Sequence, residues 1–137
     1  MSIASAFAQT FAGRIALTAL AATMAVAPVA AASANPTGTW QTTSGDSRYT
    51  VSYCGDGTQL CAKLIWLRAD ARTAENLAYL NEYVVIGADA AAANKWKGEV
   101  NYAGDTFSGS LTLTGADSMK LSGCKGIFCT TMKFSRV

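Results

Sequence analysis

Alternation of apolar and polar residues with a period of two runs along most of the chain beyond residue 38. Tyr49, Val51 and Tyr53 alternate with Arg48, Thr50 and Ser52. Leu60, Ala62, Leu64 and Trp66 alternate with Cys61 and Lys63, although Ile65 and Leu67 blur the far end. Trp96, Gly98, Val100 and Tyr102 share one phase, as do Phe107, Gly109, Leu111 and Leu113, then Met119 and Leu121, then Phe128, Thr130, Met132 and Phe134. Such alternation is the signature of antiparallel sheet with one buried face.

Turn signals separate these runs: Ser44-Gly45-Asp46, Gly55-Asp56-Gly57, Ala103-Gly104-Asp105 and Gly115-Ala116-Asp117. They join successive strands as hairpins. With a first strand near Thr39 to Thr43 and a short one near Tyr83 to Ile86, the count reaches about eight. The expected fold is all-β, an antiparallel up-and-down barrel of about eight strands, because closure removes the exposed edges of a meander. The pattern breaks between Asp70 and Glu82, where Ala74, Leu77, Ala78 and Leu80 follow near-helical spacing behind Thr73, a candidate N-cap. A short helix or loop is expected near 70–82, and a second, Ala-rich connection from Ala88 to Asn94.

The first 34 residues have a different character. Arg14 is their only charge, Ile15 to Val29 is a run of small and apolar residues, and Ala32-Ser33-Ala34 offers an A-x-A cleavage site. A spanning anchor is the rival reading, but the run is Ala-rich and Pro28 interrupts it. Residues 1–34 are therefore expected to be a cleaved signal peptide, and 35–137 a single barrel domain in the periplasm or outside the cell. Without Arg14, ten basic residues face nine acidic ones, a net charge of +1. That balance gives no footprint for nucleic acid, no polybasic run for a membrane surface and, after cleavage, no stable membrane anchor.

All four cysteines, Cys54, Cys61, Cys124 and Cys129, lie in the exported part. An even count there implies disulfides, which a domain this small needs as staples. A tetra-cysteine zinc site is the rival, but neither pair has the C-x2-C spacing. Cys54 and Cys61 flank one hairpin turn on the outward phase, and Cys124 and Cys129 flank the last one. Local pairing, 54–61 and 124–129, needs no strand to flip.

Gly38-x-Trp40 opens the first strand and Arg136 closes the last. In a barrel of even strand number these strands are neighbours, so an Arg136 guanidinium stacked over Trp40 would close the barrel floor. Threading the strands up and down places Tyr49, Trp66, Tyr102, Phe107 and Phe128 at the opposite end, the mouth, with Tyr83 nearby. A barrel of this size either fills itself or holds one small ligand. Those six aromatics are the candidate ligand-binding residues.

Gly38-x-Trp40 with Arg136 resembles the signature of the calycins, the lipocalin-like barrels. More closely, Gly38-Thr39-Trp40, Cys54-Gly55, Leu60-Cys61, Ile65-Trp66-Leu67, Trp96-Lys97-Gly98, Gly123-Cys124 and Ser135-Arg136-Val137 resemble a family of small exported bacterial domains, domain of unknown function 2147. The chain departs from that family at Ala62, at Phe134-Ser135 and in a shortened middle segment, about Asp70–Gly87. The resemblance implies a lipocalin-like barrel in the bacterial envelope, with no established activity.

Candidate chemistry is sparse. With no histidine in the sequence, Ser-His and Cys-His nucleophile pairs and His metal ligands are excluded. Asp46, Asp56, Asp105 and Asp117 sit in turns, where Asp caps its own backbone. No catalytic residue, metal or cofactor is expected. The expected function is a non-enzymatic binding module that takes a small apolar or amphipathic ligand at the mouth. A protein-interaction module, such as an envelope stress factor or a hydrolase inhibitor acting through a protruding 70–94 segment, is the alternative.

Overall fold

Each turn signal makes a hairpin, and the hairpins close on themselves. The computed structural model describes residues 35–102 and 104–137, together with Ala22, Met24 and Ala25. The leader assigned to 1–34 and its cleavage site at Ala32-Ser33-Ala34 therefore lie outside the described residues, those three apart. The chain divides at Ala30/Ala31, and the barrel belongs to the unit Ala31–Val137.

Among the described residues, eight strands form one closed antiparallel barrel in chain order. They are β1 (Gly38–Thr42), β2 (Ser47–Cys54), β3 (Gln59–Leu67), β4 (Tyr83–Ala92), β5 (Lys95–Tyr102), β6 (Asp105–Leu113), β7 (Ser118–Lys125) and β8 (Phe128–Arg136). Both disulfides are hairpin-local: Cys54–Cys61 spans the β2–β3 turn and Cys124–Cys129 the β7–β8 turn. Cys61 is buried despite its outward phase, and its Sγ accepts a hydrogen bond from the Gly87 amide on β4.

The β1–β8 seam closes the barrel through three register pairs, Trp40↔Arg136, Gln41↔Ser135 and Thr42↔Phe134. Trp40 is wholly buried at the floor, and its Nε1–H donates to the Pro36 carbonyl at 2.9 Å. The Arg136 guanidinium lies 4.3 Å from the Trp40 ring centroid. The same guanidinium donates to the carbonyls of Asn35, Thr37 and Ala116, so it ties the entry segment and the β6–β7 turn to the last strand. Gly38 is required here. A Cβ at this position would lie 2.8 Å from Arg136 Nη1, and φ is +133°. Leu60, Trp96 and Leu113 complete the packed floor.

Two strands differ from their sequence reading because of bulges. The β2–β3 register shifts between Arg48 and Tyr49, so the phase of β3 inverts beyond Leu64: Leu67 turns inward and Trp66 outward. The strand expected to stop at Ile86 continues to Ala92. Gly87, at φ +68°, absorbs a register shift and lets β4 run through what looked like an Ala-rich connection. The segment between β3 and β4 holds a 3-10 turn, Ala69–Ala71, and one short helix, α1 (Ala74–Leu77). Thr73 caps α1 by accepting from the Asn76 amide at 3.1 Å.

Asp46 is engaged within its turn, but through neighbouring hydroxyls rather than through its own backbone as expected. Its carboxylate accepts from the Thr42 hydroxyl at 2.6 Å and the Ser47 hydroxyl at 3.1 Å. The Thr42 bond foremost holds the Asp46 carboxyl below its ordinary pKa. A carboxyl lowered in the folded state adds stability above its unfolded pKa and loses it as pH falls through the folded value. Stability should thus decline as the pH falls below about 4, the ordinary Asp range, and Asp46→Asn should flatten that decline in acid titrations followed by circular dichroism. Arg136→Ala removes the stack and the bonds to three carbonyls, and should cost about 2–3 kcal/mol, a fall of roughly 10 °C or more in thermal melting. Arg136→Lys should recover only part of this, since an ammonium cannot both stack and span the carbonyls. Unchanged melting of Arg136→Ala would contradict the closure.

Candidate functional site

Three inward glycines stand side by side in the barrel wall, and one of them leaves its space open. Gly98 on β5 pairs with Gly109 on β6, which pairs in turn with Gly123 on β7. All three occupy inward positions, so one level of the wall lacks side chains on three neighbouring strands. Gly98 lets β5 approach β4, since a Cβ there would lie 2.9 Å from the Ala88 Cα. At Gly109 the vacated space is taken by Val100, whose Cγ2 would sit 2.7 Å from an added Cβ. At Gly123 the space remains open, with the nearest atom, Phe107 Cβ, at an ordinary 3.5 Å.

Above the packed floor this leaves a cavity of about 310 Å³. Val51, Val85, Leu111, Met119 and Leu121 line its depth, and Tyr49, Tyr102 and Phe107 its upper part. No lining residue carries a charge. The polar groups it offers are the phenols of Tyr49 and Tyr102 and the Thr130 hydroxyl. Burial raises the pKa of Tyr49 above the ordinary phenol value, so it stays a neutral donor at any physiological pH. Its ring meets Phe134 edge-on, with centroids 5.6 Å apart.

The segment between β3 and β4 lies over one side of the mouth. Ala71, Tyr79 and Leu80 pack against the core, and the Tyr79 hydroxyl accepts from the Gly104 amide in the β5–β6 turn at 2.7 Å. On the opposite side the wall is incomplete. β1 ends at Thr42 while β8 continues to Phe128, so the upper half of β8 has no β1 residue beside it. Thr130 lines the cavity yet is exposed, and Met132 lines both the cavity and a surface hollow bounded by Thr43, Ser44 and Lys133. The cavity therefore opens toward β8.

Three of the six aromatics expected at the mouth line this cavity: Tyr49, Tyr102 and Phe107. The other three do not. Trp66 faces outward, with the Arg48 guanidinium 4.6 Å from its ring centroid, because the bulge in β3 inverts its phase. Tyr83 is 47% exposed on the outer wall, where the Lys63 ammonium lies 5.4 Å from its ring. Phe128 is 78% exposed at the start of β8, beyond the rim. The sequence reading missed Val84, Val85 and Gly123. The two valines are adjacent and both buried, which strict alternation forbids and the β4 bulges permit. The glycine row has a legible signal: Gly98 and Gly109 stand equidistant from the β5–β6 turn, and Gly109 and Gly123 from the β6–β7 turn. Among the described residues, no group of three or more Cys, Asp and Glu side chains could hold a metal ion, and all four cysteines are paired.

A family profile described as "Uncharacterized protein conserved in bacteria (DUF2147)" matches residues 38–136. No curated protein and no solved structure matches the chain.

The glycine row yields a paired prediction. Gly98→Ala drives a methyl into the β4 backbone and should destabilise by about 1–3 kcal/mol. Gly123→Ala places a methyl in open space on extended backbone and should stabilise by roughly 0.5–1 kcal/mol. Thermal melting of the two variants checks this; equal shifts would refute the geometry of the row.

Proposed function

This chain belongs to the family described as uncharacterized protein conserved in bacteria (DUF2147), a description that assigns no activity, and from its own geometry we propose an exported, non-enzymatic binding module that holds a small apolar or amphipathic molecule in the barrel. The observation that carries this reading is the uncharged 310 Å³ cavity beside the row of inward glycines. A water's share of liquid volume is about 30 Å³, so the space suits on the order of ten non-hydrogen atoms. That is the low end of small-molecule sites. A ligand carboxylate or ammonium finds no countercharge in the lining and would be held at the rim, with its apolar part inside.

Further support comes from the fold around the cavity. Two hairpin-local disulfides suit an oxidising compartment outside the cytoplasm. The sequence contains no histidine, and Asp46 and Asp56 are occupied in their own turns. The alternative, a loop-driven protein inhibitor, asks for a protruding 70–94 segment. Here Ala71, Tyr79 and Leu80 hold the 69–82 segment against the core, and 83–92 are a strand of the wall.

Native mass spectrometry of the protein isolated from its own cell should reveal a co-purifying small molecule. Calorimetric titration with octanoate and with a neutral single-ring aromatic of similar size should show saturable binding. Gly123→Leu fills the cavity from a position with room for a side chain, and should weaken binding on the order of tenfold or more without lowering the melting temperature. A clean apo mass, together with no binding of either probe, would overturn this reading.

A further inference from the structure

The β7–β8 hairpin ends in a tip that turn chemistry does not explain. Lys125 pairs with Phe128 across a two-residue turn, Gly126-Ile127, with Gly126 at φ +62°. Glycine at the first position suits a type II′ turn. The second position and its neighbour would ordinarily be polar. Instead Ile127 is 91% exposed and Phe128 78% exposed, and neither belongs to the core. Two large apolar side chains thus project from a convex point, where they offer no groove for a partner to fill.

Three further features define what would cover them. First, the hairpin Ser118–Arg136 has no carboxylate of its own, and besides Arg136, which is held at the closed floor, it carries Lys120, Lys125 and Lys133. Lys120 and Lys133 stand directly opposite each other on the outer face, and among the described residues neither forms an ion pair. Lys125 pairs only with the exposed Asp105. The lysines are spaced along the chain rather than consecutive, so no basic run shows in the sequence, but the hairpin gathers them on one ribbon. Second, the tip shares its end of the barrel with the exposed Leu77 and Tyr102, and stands beside the opening under Thr130 and Met132. Third, the Cys124–Cys129 bridge lies directly beneath the tip, so the projection is held rigid and little ordering entropy is lost when it is immobilised.

An apolar point on a cationic stem matches a lipid bilayer with anionic headgroups: the point enters the acyl boundary while the cations meet the phosphates. We propose that the protein docks by this open end on an anionic membrane surface, with Ile127 and Phe128 inserted, and exchanges its apolar ligand with the bilayer there. The exchange step rests on the ligand-binding reading above; the docking step does not. A bilayer conforms to a convex projection, which a second protein could do only by offering a matching groove. Docking also brings the uncovered side of the cavity against the medium in which an apolar ligand dissolves.

The test uses the protein as purified from the producing cell, its N-terminus mapped by mass spectrometry so that variants are compared on the same chain. Co-sedimentation with vesicles of phosphatidylcholine and phosphatidylglycerol should show binding. Ile127→Ser/Phe128→Ser should weaken it on the order of tenfold or more. Because both side chains are exposed, the variant should melt with the wild type and bind octanoate equally well in solution. Wild type left in the supernatant, or the double variant sedimenting like wild type, would overturn the proposal. So would a lipid-free dimer that the double variant abolishes, since that assigns the tip to a second copy. Failure of the cavity reading shows separately, as vesicle binding that persists without any binding of octanoate.

Discussion

The structure depends on one cation held over one ring. An open sheet of eight strands has two edges, and here the edges meet through only three residue pairs. That seam is short for a barrel, and the Arg136 guanidinium compensates by acting in two directions at once. Its face covers the Trp40 indole, and its edge gathers carbonyls from the entry segment and the β6–β7 turn. Indole below, carbonyls around and a glycine that makes room form one unit. A side chain at residue 38 would collide with the guanidinium that the fold needs there.

With the floor fixed, the rest of the barrel is free to be incomplete above it. Trp40, Leu60, Trp96 and Leu113 fill the lower end, whereas the upper end loses side chains at the glycine row and loses wall where β1 stops short of β8. Stability and opening are thus segregated along the barrel axis. The space is shaped as much by backbone as by side chains: Gly98 brings β5 against β4, Val100 leans into the place that Gly109 vacates, and Gly123 leaves its share empty.

How much of the fold was legible in the sequence depends on how local each determinant is. Strand phase, hairpin turns and disulfide pairing are set by neighbours in the chain, and the alternation carried them correctly for β5 to β7 and for β2 as far as Val51, whereas Tyr53, read as inward, is half-exposed at the strand end. The pairing of Trp40 with Arg136 spans nearly the whole barrel, yet it was legible because closure of an even-stranded meander forces the first and last strands together. The bulges were not legible. Trp66 sits two residues beyond Leu64 in apparent phase, and only the register of β3 against β2 reveals that the phase has turned over. Tyr83 lies beside a register shift of β4 against β3, where the alternation gives it no phase, and Phe128 misses because the phase of a strand does not say where the cavity stops. Whether the barrel is hollow could not be read from composition; it depends on which of three cross-strand glycines leaves its space empty, and only Gly123 does.

The placement of the disulfides has a consequence for the order of assembly. Each bridge closes within a single hairpin, with seven and five residues of separation, so neither requires the barrel to exist before it forms. Oxidation can proceed as each hairpin emerges, with no long-range partner to await and no wrong partner favoured by proximity. The seam is the opposite case, since its two halves lie at the ends of the domain and are the last to meet. The chain therefore reaches its final step as a covalently set meander that lacks only its closing edge. What the bridges leave to be made is the joining of two edges from the ends of the domain, a step in which no thiol takes part.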